Sequence, residues 1–501
     1  MLRSLWARRD STRPVLGELR ASKPFIVFVV SFAIFTDMLL YGMIVPVAPT
    51  ALNERAGVGE DNEQKWTSIL LGLYAGALLA FSPPAGYLAD RIESRRWPLI
   101  LGLVALGAAT ALLCVGTHIG LWIAGRLFQG AAAAVVWSVG CALLVDTIEK
   151  ESLGQAIGYL GMGMTFGAMG GPLLGGVLYE HGGYYSVYAL AFALIALDIV
   201  FRIVMIERKN AVKWLPAEDL QVPETREKPA ETDAAGAPQQ DVTAADVEGQ
   251  KDSHDPPDIP PQRPSETTSI QDEDQILPGK KRKGALLTLL VSSRVLVTLY
   301  AYFILAVLIT SFESVLPLFV EETFHWKQTA QGLIFIPLTI PHILDPIFGF
   351  LNDKYPSTRR YIAAGAFFVT VPIITLLRLV QNNSMQHKVL LCALLSLIGL
   401  CIAATIAIIL VEASYAVAEE EEKHPGIWGK GGAMALAYGL LNSAYAGGSL
   451  VGPFLAGFIR ESEGWGTMTW ALALIVGVTG VPVLFFLGGF LPSRKQRTSN
   501  S

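Results

Sequence analysis

Apolar residues in this chain are gathered into windows of roughly 20, the length a helix rising ~1.5 Å per residue needs to cross a ~30 Å hydrocarbon layer. Such windows fall near 25–49, 66–88, 97–117, 119–145, 154–179 and 184–206, and again near 294–320, 328–351, 360–381, 388–416, 431–459 and 465–491. Lipid offers no partner to an open backbone group, so each window is expected to be a helix. The order is six, a gap, and six, which predicts an all-α membrane protein of twelve transmembrane helices.

The gap has a different composition. Residues 217–275 hold 16 acidic and 4 basic side chains and include "DPPDIPPQRP"; with almost no aromatic residues to build a core, the stretch is expected to be disordered. The whole chain carries a formal charge of −5, so the remainder is net positive. Its basic residues cluster before the first window, at Arg91/Arg95/Arg96, at Arg208/Lys209, at 280–283, at Arg359/Arg360 and near 494–497. All of these fall on one side if the spans alternate, which predicts cytosolic termini. The expected organisation is a cytosolic segment 1–24, a six-helix bundle 25–206, an acidic cytosolic linker 207–290, a second bundle 291–491 and a cytosolic tail 492–501. The first apolar run is too long, and lacks the small-residue cleavage site, for a removable signal peptide. Only 16% of residues are charged and 52% are hydrophobic, far from the usual balance of a soluble domain.

Two motifs recur between the bundles. The fifth window contains Gly158-x8-Gly167-x3-Gly171-Pro172-x2-Gly175-Gly176, and the eleventh contains Gly439-x8-Gly448-x3-Gly452-Pro453-x2-Ala456-Gly457. Spacing by four puts Gly163, Gly167, Gly171 and Gly175 on one helix face, where missing side chains admit a neighbouring helix. A loop "GYLADRIESRR" (Gly86 to Arg96) follows the second window, and "GFLNDKYPSTRR" (Gly349 to Arg360) follows the eighth. There Asp90 sits beside Arg91, Arg95 and Arg96, charges able to latch one side of the bundle in one conformation. Six spans repeated in parallel are the arrangement by which carriers place a central site between two rocking halves.

The glycine pattern and the loop resemble the antiporter motif and loop signature of the major facilitator superfamily, drug:proton antiporter branch. Within that branch "TDMLLYGMIVPVAP" (Thr36 to Pro49), "RLFQG" (Arg126 to Gly130), "FESVLPLFV" (Phe312 to Val320) and "VEAS" (Val411 to Ser414) resemble the vesicular amine transporters and their fungal relatives. The resemblance implies the major facilitator fold, two six-helix pseudo-repeats, and proton-coupled export or sequestration of organic cations, drugs or secondary metabolites. It also implies that Asp37 meets a substrate ammonium, that Arg126 serves proton coupling, and that Glu313 and Glu412 serve substrate or protons. Two departures stand out. Asn442 occupies the place of an eleventh-span aspartate and Tyr74 that of a second-span lysine, so monoamine specificity and proton stoichiometry do not carry over.

An ionisable side chain at mid-bilayer costs on the order of 2.5–3.5 kcal/mol, which makes each one a candidate. Asp37 has no basic neighbour within two turns, so a proton and a cationic substrate would compete for it. A carboxylate hydrogen-bonded between spans, purely to hold the bundle, is the plainer alternative. Arg126 keeps its charge and must be paired or face water. Gln129, one turn on, can bond substrate or Arg126. The expected substrate-binding set is thus Asp37, Glu313, Asn442 and Gln129, and the proton-coupling set Arg126, Asp37, Glu313 and Glu412. Gly86, Asp90, Arg91, Arg95, Gly167, Gly171, Pro172, Gly452 and Pro453 are the conformational set. His342 and Asp345 share a helix face and could relay a proton, though a structural pair between Pro341 and Pro346 is the simpler reading.

No phosphate-binding loop or enzyme-like triad occurs, so the energy source expected is an ion gradient and no enzyme activity is expected. Cys114, Cys141, Cys392 and Cys401 lie inside windows without metal-ligand spacing, so neither metal nor cofactor is expected. The partners expected are a small molecule, protons and the bilayer, with no nucleic acid, and a monomer in the plasma or a vacuolar or vesicular membrane. A facilitative carrier of a neutral metabolite and a transporter-like membrane sensor remain as alternatives.

Overall fold

The computed structural model describes residues 16–59, 62–92, 94–211, 285–326, 328–428 and 432–489. The start of the expected N-terminal segment, nearly all of the linker and the expected tail lie outside the described residues. The first half runs through α1 (Lys23–Ala56), α2 (Glu63–Ala89), α3 (Arg96–Cys114), α4 (Ile119–Thr147), α5 (Leu153–Gly182) and α6 (Tyr184–Val204). The second half starts with α7 (Ser293–Phe324), the segmented α8 (328–354), α9 (Arg359–Leu376) and α10 (Met385–Lys423). It ends in the run Met434–Phe486, which Gly464 divides into α11 (434–463) and α12 (465–486).

Ten of these stretches are long and apolar enough to span a membrane, with Met434–Phe486 counted once. Dividing that run at Gly464 and adding α5, whose many glycines lower its hydropathy, gives the expected twelve. No strand occurs among the described residues.

Local chemistry sets the helix ends. Ser22 caps α1 by accepting from the Phe25 amide, with proline in the first turn, and Ser384 caps α10 by accepting from His387. The turns α5–α6 and α11–α12 are each made by one glycine with positive φ, Gly183 at 75° and Gly464 at 83°, a region that side chains with a Cβ avoid. The equivalence of these two turns extends the repeat beyond the motifs. The eighth helix departs from an unbroken span, since Pro341 and Pro346 remove amide donors and the chain passes through a 3-10 turn over Ile340–Leu344.

The motif glycines seat α5 on α1. A Cβ on Gly163, Gly167, Gly171 or Gly175 would strike the carbonyl oxygens of Ser31, Phe35, Leu39 and Met43 in turn, a register of four against four. Gly448 and Gly452 meet the carbonyls of Phe303 and Val307 in the same way, seating α11 on α7. The other ends of α5 and α11 cross to the opposite half. Gly158 abuts the backbone of Asp345 in α8, and Gly439 abuts that of Ser82 in α2. One helix thus packs within its half at one end and forms the seam between halves at the other.

Candidate functional site

Three helices of the first half converge on Asp37 of α1, which is 1% exposed. Its Oδ2 accepts from Tyr74 Oη of α2 at 3.1 Å and from Trp137 Nε1 of α4 at 3.0 Å, while Oδ1 has no hydrogen-bond partner. One turn along α1, the Tyr41 ring lies against that of Tyr74, tilted by 40° with centroids 4.7 Å apart. The Arg126 guanidinium lies 5.7 Å from the Tyr41 ring and 5.8 Å from that of Tyr74, close enough for cation–π attraction. Arg126 Nη1 donates to Gln129 Oε1 at 2.7 Å, and its Nε and Nη2 are unpartnered.

Glu313 of α7 carries an exposed side chain between buried neighbours, Phe312 and Val315. Tyr41 lies within electrostatic reach of both Glu313 and Arg126, and Tyr445 of α11 within reach of Glu313, Tyr302 and Tyr41. The second half adds its own ring pair, Tyr302 and Tyr445, with centroids 5.2 Å apart. Asp37, Arg126, Gln129 and Glu313 are therefore brought to one region walled by tyrosines. Apolar rings with a few charges are what an amphipathic organic ion requires. Neither Asp37 nor Arg126 forms an ion pair among the described residues, although opposite buried charges normally would.

The other expected site residues lie elsewhere. Asn442 donates to Ser82 Oγ at 2.8 Å across the α2–α11 seam, whereas Tyr74 donates to Asp37. Glu412 accepts from Arg294 Nε at the start of α7 and from the Gly488 amide after α12, and Arg294 also pairs with Glu419. It braces helix ends rather than joining the central group. His342 Nδ1 lies 3.1 Å from Asp345 Oδ2, and both residues are buried against α5.

The loop motif forms two matched latches. Asp90 accepts from the Ala435 and Leu436 amides at 3.0 and 2.9 Å, the first turn of α11. Asp353 accepts from the Gly154 and Gln155 amides, both at 2.9 Å, the first turn of α5. Each carboxylate satisfies donors that a helix start leaves open and meets the positive end of its dipole. Arg95 reinforces the first latch, bonding Asp90 Oδ1 at 3.2 Å, Ala89 O at 2.7 Å and Asp146 at 3.0 Å. Burial pushes the Asp90 carboxyl above its ordinary value against the pull of the two amides and Arg95. Arg91 stays out of it and lies over the Tyr87 ring, and Arg96 donates to Ile203 O. With both latches engaged, the end of the bundle carrying the basic loops is closed.

Sequence reasoning missed one charged pair, Asp198 and Arg202 on α6, both 0% exposed. Two opposite charges four apart on a helix were the available signal, obscured by the basic flank that follows.

The sequence model of the family described as Major Facilitator Superfamily matches residues 30–424. A protein named MFS-type transporter ppzB, from Metarhizium rileyi, is 32% identical over 473 residues, 94% of this chain and 96% of its own. The vesicular acetylcholine transporter of Drosophila melanogaster is 27% identical over a shorter stretch, 38% of this chain and 36% of its own. The crystal structure of the human organic anion transporter MFSD10 superposes with a TM-score of 0.61 at 15% identity, covering 92% of this chain and 99% of that one, a likeness of fold.

Proposed function

The chain belongs to the Major Facilitator Superfamily and is an integral membrane transporter, and on that premise we propose that it is a proton-coupled antiporter that exports or sequesters organic cations, drugs or secondary metabolites by alternating access. The observation that carries this reading is Asp37: a buried carboxylate held by two neutral donors, with one oxygen free and no cation paired to it. Such a group can take either a proton or a substrate ammonium, and each must displace the other. A carboxylate meant only to hold the bundle together would be expected to bond through both oxygens.

Glu313 supplies a second acidic group on the opposite wall, and the tyrosine faces suit a cation's apolar body. Arg126, charged at every relevant pH, disfavours a second cation at the same depth. Gln129 holds it in place. The two latches tie α2 to α11 and α5 to α8 at the basic end, which we assign to the cytosol. In this conformation the site is shut off from that side, and opening requires the two halves to rock apart with both latches released. The matching of a transporter along nearly the whole chain supports a carrier rather than a sensor.

In proteoliposomes loaded with a pH dye, entry of a cationic substrate is expected to release protons, and Asp37→Asn is expected to abolish that uptake while the protein still inserts. Full cation uptake by the inserted Asn variant overturns the cation-site assignment. Substrate flux without proton movement in the unaltered protein makes it a facilitative carrier instead.

A further inference from the structure

At the end of the bundle away from the basic loops, the two halves are built on the same contacts. Tyr184 Oη, next to the Gly183 turn, donates to Leu113 O at 2.7 Å, and Trp465 Nε1, next to the Gly464 turn, donates to Leu377 O at 3.0 Å. The glycine contacts continue this register, with Gly171 on the carbonyl of Leu39 and Gly452 on that of Val307. Equal steps from there pair Tyr179 with Arg460 and Glu54 with Glu322. Both pairs are in contact: Tyr179 Oη donates to Glu54 Oε2 at 3.4 Å, and Arg460 Nη2 stands 2.7 Å from Glu322 Oε2.

Inside this shared frame the filling differs. In the first half Arg55 lays its guanidinium 4.3 Å from the centre of the Tyr184 ring and 5.2 Å from that of Tyr185, and donates to Tyr185 Oη at 3.1 Å. The second half carries Thr323 in the place of Arg55 and Gly466 in the place of Tyr185. Both changes remove bulk, and both residues line a cavity of about 1110 Å³ between the ends of α7 and α11, the start of α12 and the segment after α9.

The cavity keeps the chemistry that holds Arg55. Trp465 stands in the place of Tyr184, braced by Phe319 with ring centroids 3.7 Å apart, and Trp470 beside it is 51% exposed. Tryptophan is the ring that attracts a cation best, yet among the described residues no cationic side chain lies over either one. Five charged residues line the space. Glu322 is taken up by Arg460, which leaves Glu461 and Glu463 against Arg378, a surplus of negative charge.

We propose that this cavity is a second binding site, apart from the central group, for an organic cation with a guanidinium or similarly flat cationic head, which settles against the tryptophans as Arg55 settles against Tyr184 and Tyr185. The first half carries its cation as a side chain; the second takes one from solution. Every residue of the lining belongs to the second half, on the side away from both latches. Binding there needs no rocking of the halves and does not depend on the antiport reading.

The test uses the full chain in proteoliposomes and an alkylguanidinium carrying a photoreactive diazirine, with labelled peptides mapped by mass spectrometry. Label is expected on residues 457–470, displaced by n-propylguanidinium, which is the Arg55 side chain cut free. Thr323→Arg with Gly466→Tyr rebuilds the filling of the first half, and a guanidinium tethered at the site competes at high effective concentration, so labelling there should fall about tenfold or more. Glu461→Gln with Glu463→Gln removes two exposed charges and should weaken labelling about two- to fivefold. Asp37→Asn should leave it unaltered. Absence of label, label confined to α1, α2 and α4, or undiminished labelling in either double variant overturns the site and leaves the antiport reading intact. A protein that moves cations without protons overturns the antiport reading and leaves this site intact.

Discussion

At the α2–α11 seam Gly439 rests on the Ser82 backbone, Asp90 caps the start of α11, and on the far side of Gly439 from that cap Ser82 and Asn442 share a neutral hydrogen bond of 2.8 Å. At the α5–α8 seam Gly158 rests on the Asp345 backbone and Asp353 caps the start of α5. There Asp345 stands in the place of Ser82, bonded to His342, and Gly161 stands in the place of Asn442. What the seams share is the close backbone approach and the capping carboxylate. What they do not share is the polar filling, so closing the basic end depends on the former.

The largest effect is expected where the backbones touch. Gly158→Leu and Gly439→Leu each put a side chain where even a Cβ has no room; overpacking of about 1–3 kcal/mol corresponds to roughly a 5- to 150-fold shift in the closed population. Transport assays should show comparable losses for the two variants, and a loss at only one seam would break their equivalence. Next come the caps. Asp90→Asn should weaken closure more than Asp353→Asn, because Arg95 backs only the first, with charged hydrogen bonds worth about 1.5–3 kcal/mol. Cysteine cross-linking between α2 and α11, and between α5 and α8, reads the closed fraction in each. The smallest effect is expected from His342→Leu with Asp345→Ser, which gives α8 the leucine and serine that α2 carries at Leu79 and Ser82. Uptake should stay within about threefold; a collapse would make the pair part of the transport cycle.

The twelve helices were legible because a bilayer demands long apolar runs, and the repeat because close helix contact fixes glycine spacing to the turn of a helix. Gly163 to Gly175 could be placed on one face from sequence, and they do line one helix. The partner carbonyls on α1 could not be named, since register between helices leaves no local trace. Asp37, Arg126, Gln129 and Glu313 were singled out as charges or amides inside apolar windows. Trp137 was hidden among ordinary apolar residues, and Tyr74 was noted only as standing in the place of a family lysine, so their shared hold on Asp37 was not legible. Asn442 was singled out by its alignment with a family acid, whereas its bond to Ser82 depends on how two distant helices cross and leaves no local trace. The break in α8 was signalled by Pro341 and Pro346, but its 3-10 geometry was not.

In both latches the receiving partner is backbone: amides of residues 154 and 155 in one, of 435 and 436 in the other. A main-chain amide survives every substitution except proline. Sequence drift at those four positions therefore leaves the donors intact, and the strength of closure is set from one side only, by the carboxylate and whatever backs it. A lineage can retune how readily this transporter opens by changing the loop after α2 or α8 alone, without any compensating change in the helix that the loop holds.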